Sequence, residues 1–232
     1  MNEVRVMPVH GISEVKPGDN LAEITFEVLQ KNEVSIEKND IFVVTQKIVS
    51  KSEGMERDLS QFNFEELLLS ESKKIIRKRG DLVIAKTNHG FICANAGIDK
   101  SNVMKNTALL LPEDPNKSAN KFRKRFESLA NVPIAVIISD TFGRAWRKGQ
   151  INFAIGSSGI NPIESYIGKI DSFDNELSAT EIAVIDELAS AAELVMKKTI
   201  DIPIAIIRGV DYENSKLTAN ELIRDDNEDF FL

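Results

Sequence analysis

The longest apolar runs in this chain are short. Ile134–Ile138 and Ile202–Ile207 are each about the length of one buried strand, far below the roughly 18 residues that a membrane-spanning helix needs. Such runs are expected in the core of a globular unit, one that does not enter a membrane. The length of 232 residues suits a single unit over 1–232 or two lobes. A chain this long buries roughly 70–75% of its unfolded surface without needing staples. Cys93 is the sole cysteine, so an internal disulfide is impossible and a reducing cytoplasm is the expected compartment. Met1–His10 carries Glu3 and Arg5 in a strand-like stretch, so a basic-then-apolar leader is not expected. With 42% hydrophobic and 28% charged residues, collagen-like, mucin-like and wholly disordered states are excluded.

Strand and helix signals alternate along the chain. Val4–Val9 and Ile41–Gln46 read as strands, the second a β-branched run after Lys38-Asn39-Asp40. Leu21, Ile24, Val28 and Leu29 recur at helical spacing over Asn20–Gln30. Phe64, Leu67, Leu68, Ile75 and Ile76 extend a second helical pattern over Phe64–Arg79, with Gly80 placed to end it. Leu82–Thr87 and Gly90–Ala94 read as short strands. Asp114-Pro115 marks a helix start, with Ala119, Phe122, Phe126 and Leu129 as its buried stripe. Ile134–Ser139 reads as a strand delivering Asp140 and Thr141 at its end. Ser178-Ala179-Thr180-Glu181 has the form of a capping box, predicting the longest helix from there to about Lys198. Ile202–Arg208 is the last strand. The pattern predicts an α+β fold of mixed sheets with flanking helices.

Charge narrows the partners. There are 29 basic and 36 acidic residues, net −7, the reverse of what a general nucleic-acid binder shows. Acids cluster at Asp225, Asp226, Glu228 and Asp229, while Arg144, Arg147 and Lys148 form a compact basic group. A basic pocket on an acidic body suits a small polyanion better than a polymer. Neither a Walker A sequence, a Gly-x-Gly-x-x-Gly fingerprint nor His-Glu-x-x-His occurs. His10 and His89 are the only histidines, which disfavours a histidine-rich metal site or a conventional triad.

Four polar segments exceed what plain turns require. Thr45–Lys51 sets Lys47 and Lys51 directly after an apolar strand, where lysine can neutralise phosphate or simply cover a solvated strand end. His89–Asn102 combines small residues with oxygens from Asp99 and Asn102, suited to a hard cation such as Mg²⁺ or Mn²⁺ or to an Asx-type turn. Cys93 within it reads as a small buried hydrophobe. Ser139–Gln150 presents Asp140 and Thr141, then Arg144 and Arg147 flanking Trp146, with Gly143 and Gly149 letting the loop wrap an anion; a capped loop with a basic surface is the other reading. Met196–Pro203 joins a helix end to a strand, and an ordinary connection accounts for it too. Together, two acid-bearing turns and several cations suggest metal-assisted chemistry on a phosphorylated substrate.

Several stretches carry a specific likeness: His10–Asp19, Val43–Gly54, His89–Val103, Leu110–Pro115, Ser139–Gln150, Glu187–Lys197, Arg208–Tyr212 and Glu221–Phe231. Across essentially its whole length the chain resembles the coenzyme F420:L-glutamate ligase (F420-0 gamma-glutamyl ligase) family. Ser-Asp-Thr-Phe-Gly-Arg-x-Trp-Arg is its most specific motif. The resemblance implies GTP-dependent ligation of L-glutamate to F420-0 through an acyl phosphate, with further γ-linked additions, in an intertwined homodimer with the family's own fold, neither Rossmann nor P-loop. It further implies Mg²⁺ or Mn²⁺ and a monovalent cation such as K⁺ as cofactors, with no nucleic-acid or membrane partner. By the same likeness Asp99 and Asp140 match divalent-metal ligands, Thr141 a second-metal ligand and Asn102 a GTP contact. Val9, His10, Gly11, Ile12, Gln46, Lys47 and Lys51 fall on nucleotide-binding positions, as does Met196–Pro203 with Met196, Lys197, Lys198 and Pro203. Asp140 is the expected catalytic centre, and Arg144 and Arg147, on charge alone, are assigned to acidic substrates.

The chain departs from the family at definite places. Ile151 and Asn152 stand where a threonine and an aspartate are common. Within Met196–Pro203 the family often has a small or oxygen-bearing residue that assists the second metal. A protonated Lys198 cannot ligate, which leaves one metal or two open unless a backbone carbonyl substitutes. Phe173–Leu177 lacks the usual glycine and arginine. No C-terminal flavin reductase-like extension is expected, which predicts one or a few glutamates rather than long tails. The departures leave room for a ligase of the same mechanism with another carboxylate acceptor. A non-catalytic nucleotide- or RNA-binding module using Arg144–Lys148 is the remaining alternative, and net −7 argues against it.

Overall fold

The apolar runs become the middle of one five-stranded sheet. The computed structural model describes residues 3–101 and 104–229. Its elements run β1 (Arg5–Pro8), α1 (Leu21–Lys31), β2 (Ile41–Thr45), α2 (Gln46–Ser52), β3 (Glu56–Asp58), α3 (Phe64–Ser70), β4 (Ser72–Arg79), β5 (Leu82–Thr87) and β6 (Ile92–Ala94). They continue through β7 (Thr107–Leu109), α4 (Pro115–Ala130), β8 (Ala135–Arg144), β9 (Arg147–Ser158), β10 (Glu164–Ser165), β11 (Glu181–Ile182), α5 (Val184–Met196) and β12 (Ile204–Arg208). The main sheet has the order β1-β12-β2-β8-β9, with β2 and β8 parallel and the other neighbours antiparallel. Smaller sheets pair β3 with β7, β4 with β5 and β6, and β10 with β11. Mixed sheets with flanking helices are the α+β class expected from the sequence.

Strand periodicity divides the core into two layers. Phe42, Val44, Val136, Ile138, Ile204 and Ile206 face α1 and α4, whereas Ile41, Val43, Ala135, Ile137, Ala205 and Ile207 face α5. Because both faces are covered, β2 and β8 read as continuous apolar runs rather than alternating ones. A third, smaller cluster joins Leu67 and Leu68 of α3 to Val83, Ala85, Ile98, Ala108 and Leu110. Among the described residues, no helix is long and apolar enough to cross a membrane.

Helix ends follow local chemistry where the signals are strong. Asn20 caps α1 by accepting from the Glu23 amide, and Asp114 caps α4 by accepting from the Lys117 amide at 2.9 Å, with Pro115 in the first turn. Gly156 of β9 is needed for a different reason. A Cβ there would lie 2.5 Å from the Pro115 carbonyl, so only glycine lets the start of α4 rest on the strand.

Four local expectations give way to long-range pairing. The helix expected over Phe64–Arg79 stops at Ser70, and residues 72–79 form β4 instead. Gly80, with φ 58°, is a hairpin residue between Arg79 and Leu82 rather than a helix terminator. Antiparallel pairing with β5 outweighs an apolar stripe that leaves Ile75 exposed. The strand expected at Ile134–Ser139 runs on to Arg144 and turns back at Ala145-Trp146, so Ser139–Gln150 is a two-stranded arm and not a loop. Ser178–Glu181 does not cap a helix: Glu181 pairs in β11, α5 starts at Val184, and the 16-residue α4 is longer than the 13-residue α5. Finally, Gln46 opens α2 rather than closing β2, which moves both lysines from a strand end onto a helix.

A bulge in β9 ties the sheet to α5. The register shifts so that Ile138 faces Gly156 and Ser139 faces Ala154, leaving Ile155 as the extra residue. Beside it, the Ala154 amide donates to Asp186 Oδ1 at 2.8 Å. Burial pushes the Asp186 carboxyl up to about 6, against the lowering effect of that amide. The folded chain thus keeps this proton to about pH 6, while the unfolded chain releases it near pH 4. Stability contributed here falls as pH rises through that window, and the penalty persists above it. Asp186→Asn keeps an acceptor oxygen and removes the charge. Urea titrations at pH 8 are expected to show it more stable than wild type by about 1 kcal/mol after solvent screening, the gap closing by about pH 4. Parallel pH profiles for the two proteins would show that the carboxyl ionises without penalty.

Candidate functional site

Parallel β2 and β8 open their C-terminal ends on the same side of the sheet, where Thr45 pairs with Ser139. Crevices outside such strand ends are the usual ligand sites of parallel sheets. A cavity of about 490 Å³ lies there, lined by Ile12–Val15, Thr45, Lys47, Ile48, Lys51, Asn152, Glu193, Met196–Lys198 and Asp201–Pro203. Local sequence accounts for the lining. Helix α2 begins immediately after β2 and turns Lys47 and Lys51 to one side, four residues apart. Each lysine has a counter-ion inside the protein. Lys51 Nζ lies 2.6 Å from Glu14 Oε1 with its side chain only 12% exposed. Lys47 Nζ donates to Asp99 and to Ser101 Oγ, the latter at 2.6 Å.

Asp99 is presented by a strained turn. Asn95, Ala96 and Gly97 all have positive φ, and a Cβ on Gly97 would lie 2.6 Å from Leu111 Cδ1. Main-chain bonds with Leu109, at 2.9 and 2.8 Å, then anchor Asp99 itself. Burial acts to raise its pKa, but the Lys47 ammonium and the Ser101 amide outweigh burial and hold the carboxyl below its ordinary value. Asp140 sits within β8 and behaves oppositely. Burial pushes it up to about 6; the Thr141 amide resists, the Asp99 charge adds to the rise, and Lys47 and Lys198 oppose it. Two carboxylates and two ammoniums therefore share one electrostatic neighbourhood.

Thr141, the next residue on β8, belongs to a polar cluster with β9 and α5. Its hydroxyl donates to Asn152 Oδ1 at 2.6 Å and accepts from Lys198 Nζ at 2.7 Å. Lys198 also reaches Glu193 Oε2 at 3.0 Å and Asn152 Oδ1 at 3.4 Å. Asn152 Nδ2 donates to the same Glu193 oxygen at 3.1 Å, closing the cluster.

Of the nucleotide positions named from the sequence, Ile12, Lys47, Lys51, Met196, Lys197, Lys198 and Pro203 line the cavity. Val9 is buried in the main core, and its amide bonds Ile204. His10 is exposed and offers its carbonyl to Asn32, while Gly11 turns the chain at φ 94°. Gln46 is fully buried and accepts from Ser50, with its Nε2 unpartnered among the described residues. Asn102 lies outside the described residues. Arg144 and Arg147 occupy the far end of the β8–β9 arm, on the order of 13 Å beyond Asp140 along the strand. Arg144 there donates to the Lys148 carbonyl at 2.8 Å. Among the described residues, no three of His, Cys, Asp and Glu converge on one point; Asp99 and Asp140 are close enough to feel each other's charge, while the Thr141 hydroxyl is held by Asn152 and Lys198.

Sequence reasoning missed Glu14, Ser101 and Glu193 as partners of the lysines. Glu193 had a signal: it lies in the last turn of α5, where the helix dipole disfavours an acid. His89 is structural, with Nε2 against the Pro112 and Glu113 carbonyls and its ring stacked on Phe91. Burial, reinforced by the Asp140 charge, pushes the Cys93 thiol to about 12, which leaves it an inert hydrophobe.

Comparison with known proteins bears on this geometry. Residues 11–209 match the model of the family described as F420-0:Gamma-glutamyl ligase. The chain is 38% identical to the coenzyme F420:L-glutamate ligase of Methanothermobacter thermautotrophicus, across 89% of each chain. It is 36% identical to the protein of that name from Archaeoglobus fulgidus, across 97% of this chain and 95% of the relative. A third, from Methanocaldococcus jannaschii, is 39% identical across 84% and 86%.

Proposed function

The chain belongs to the F420-0:gamma-glutamyl ligase family, and from that premise we propose that it joins L-glutamate to F420-0, using GTP to activate the acceptor. The observation carrying this reading is the cavity itself, lined by Lys47 and Lys51, with the Asp99 carboxylate paired to Lys47 at its edge and Asp140 close enough to feel both charges. Both lysines now hold internal carboxylates. A triphosphate would replace those partners, and transfer of Lys47 to a phosphate oxygen would free Asp99. Asp99 and Asp140 come from separate elements and sense each other's charge. That donor set fits Mg²⁺ or Mn²⁺, which takes one or two carboxylates and fills the remaining positions with phosphate and water oxygens. When bound, the ion would screen the negative charge that gathers on the transferred phosphoryl group.

The chemistry then balances in two steps. A carboxylate oxygen of F420-0 bonds to the γ-phosphorus of GTP as the bridging P–O bond breaks, releasing GDP and forming an acyl phosphate. The glutamate nitrogen next bonds to the acyl carbon, the C–O bond to phosphate breaks, and the departing phosphate takes the amine proton. Every reactant is anionic, so the cavity's lysines serve to gather and orient them. Arg144 and Arg147 lie at the tip of the β8–β9 arm and do not line this chain's own cavity, an arrangement that suits an intertwined homodimer in which the arm of one copy approaches the other.

A second reading keeps the mechanism and changes the acceptor. It rests on Asn152 and Lys198, which place a neutral amide and an ammonium against Thr141 at the edge of the cavity. One experiment separates the two. Pure protein is mixed with F420-0, L-glutamate, GTP and Mn²⁺ or Mg²⁺ and followed by mass spectrometry. A product heavier by one or more glutamyl residues, with one GDP released per addition, is expected. Metal-dependent GTP binding without that product would overturn F420-0 as the acceptor.

A further inference from the structure

Thr141, Asn152 and Glu193 come from β8, β9 and α5, yet their side chains converge on one point. The Lys198 ammonium stands at that point, 2.7 Å from Thr141 Oγ1, 3.0 Å from Glu193 Oε2 and 3.4 Å from Asn152 Oδ1. Its three donors meet three oxygens, of which only the Glu193 oxygen carries charge, since Asn152 and Thr141 are neutral, and its field also reaches the Asp140 carboxyl. The backbone is bent to deliver it. Lys197 ends α5 at φ 51°, ψ −173°, a region that is essentially glycine's, and such strain persists only where the surroundings impose it. A divalent ion at Thr141 would share its ligands with a fixed positive charge within bonding distance of the same hydroxyl, and both the charge and the donors oppose it.

We propose that the Lys198 ammonium is a built-in cation at Thr141, taking the place that a second divalent ion would occupy. The proposal rests on reading the cavity as a metal–nucleotide site. On this view the protein needs a single divalent ion, held by Asp99 and Asp140, and the lysine supplies the second positive charge toward the phosphates. Removing the lysine leaves three oxygen donors, one of them an uncompensated carboxylate, aimed at an empty centre. That is a partial site for a hard cation.

The test counts ions rather than turnover. Mn²⁺ bound per chain is measured by electron paramagnetic resonance with saturating GTP and no acceptor, for wild type, Lys198→Ala and Lys198→Arg. Thermal melts establish that each variant is folded. We expect about one Mn²⁺ for wild type, about two for Lys198→Ala, and about one again for Lys198→Arg, which restores the charge. Two ions in wild type, or a single ion in folded Lys198→Ala, would overturn the proposal while leaving the metal–nucleotide site standing. No Mn²⁺ in wild type and in Lys198→Ala would instead remove that site, and the proposal with it.

Discussion

Asp140→Asn is expected to lower turnover by about 10³-fold or more while making the folded protein more stable. On the proposed mechanism, the first effect follows from removing one of the two carboxylates that would hold a divalent ion for phosphoryl transfer, a contribution worth several kcal/mol of transition-state stabilisation. The second follows from burial. Asp140 is held at about 6 by its surroundings, so its ionised form is less stable in the folded protein than in the unfolded chain. Stability is therefore greatest where both states are protonated and is lost as pH rises from about 4 to about 6. Asparagine retains an oxygen for the Thr141 amide and carries no charge to desolvate. In metal-free buffer at pH 8 the variant should exceed wild type by about 1–3 kcal/mol in urea titrations, with the difference vanishing near pH 4. Loss of stability together with activity would mean that Asp140 is structural. Full activity would remove the metal assignment altogether. Opposite movements are the signature of a site that keeps a costly charge for its chemistry.

Phe126→Ala should produce the largest loss of stability, about 3–5 kcal/mol. Phe126 is completely buried on α4 and sits at the centre of an aromatic cluster, with ring centroids 4.5 Å from Phe42, 5.8 Å from Phe122 and 5.9 Å from Phe26. Those three rings come from β2, α4 and α1, so truncation opens a void where sheet and both helices meet. The surrounding aromatics are too stiff to fill it. The urea midpoint should fall sharply, whereas the specific activity of the folded fraction should change little, since the cavity lies beyond the strand ends. A loss below about 1 kcal/mol would show that the cluster relaxes into the space.

Much of this was legible in the chain, for reasons that are local. Asp114-Pro115 specified the start of α4 because capping chemistry involves neighbours only. Apolar runs at Ile41 and Ile134 identified the two central strands, since burial on both faces leaves no polar alternation. The unusual density of Lys47, Lys51, Asp99, Asp140 and Thr141 marked a candidate site before its shape was known, and a family likeness attached an expected reaction to it. Sequence singled out the residues to which the proposed chemistry is assigned.

Only tertiary structure decided how they meet. Residues 72–79 have a helical apolar spacing but become β4, because β5 supplies hydrogen-bond partners that spacing cannot reveal. Ser139–Gln150 looks like a loop until β9 pairs with β8, which carries Arg144 and Arg147 away from Asp140. Glu193, Asn152 and Lys198 have no common signature, yet a bulge in β9, the docking of α5 and a strained turn at Lys197 gather them around one hydroxyl. The physical reason is range: propensity, capping and patterning act within a few residues, whereas strand pairing and charge convergence depend on segments far apart in the chain.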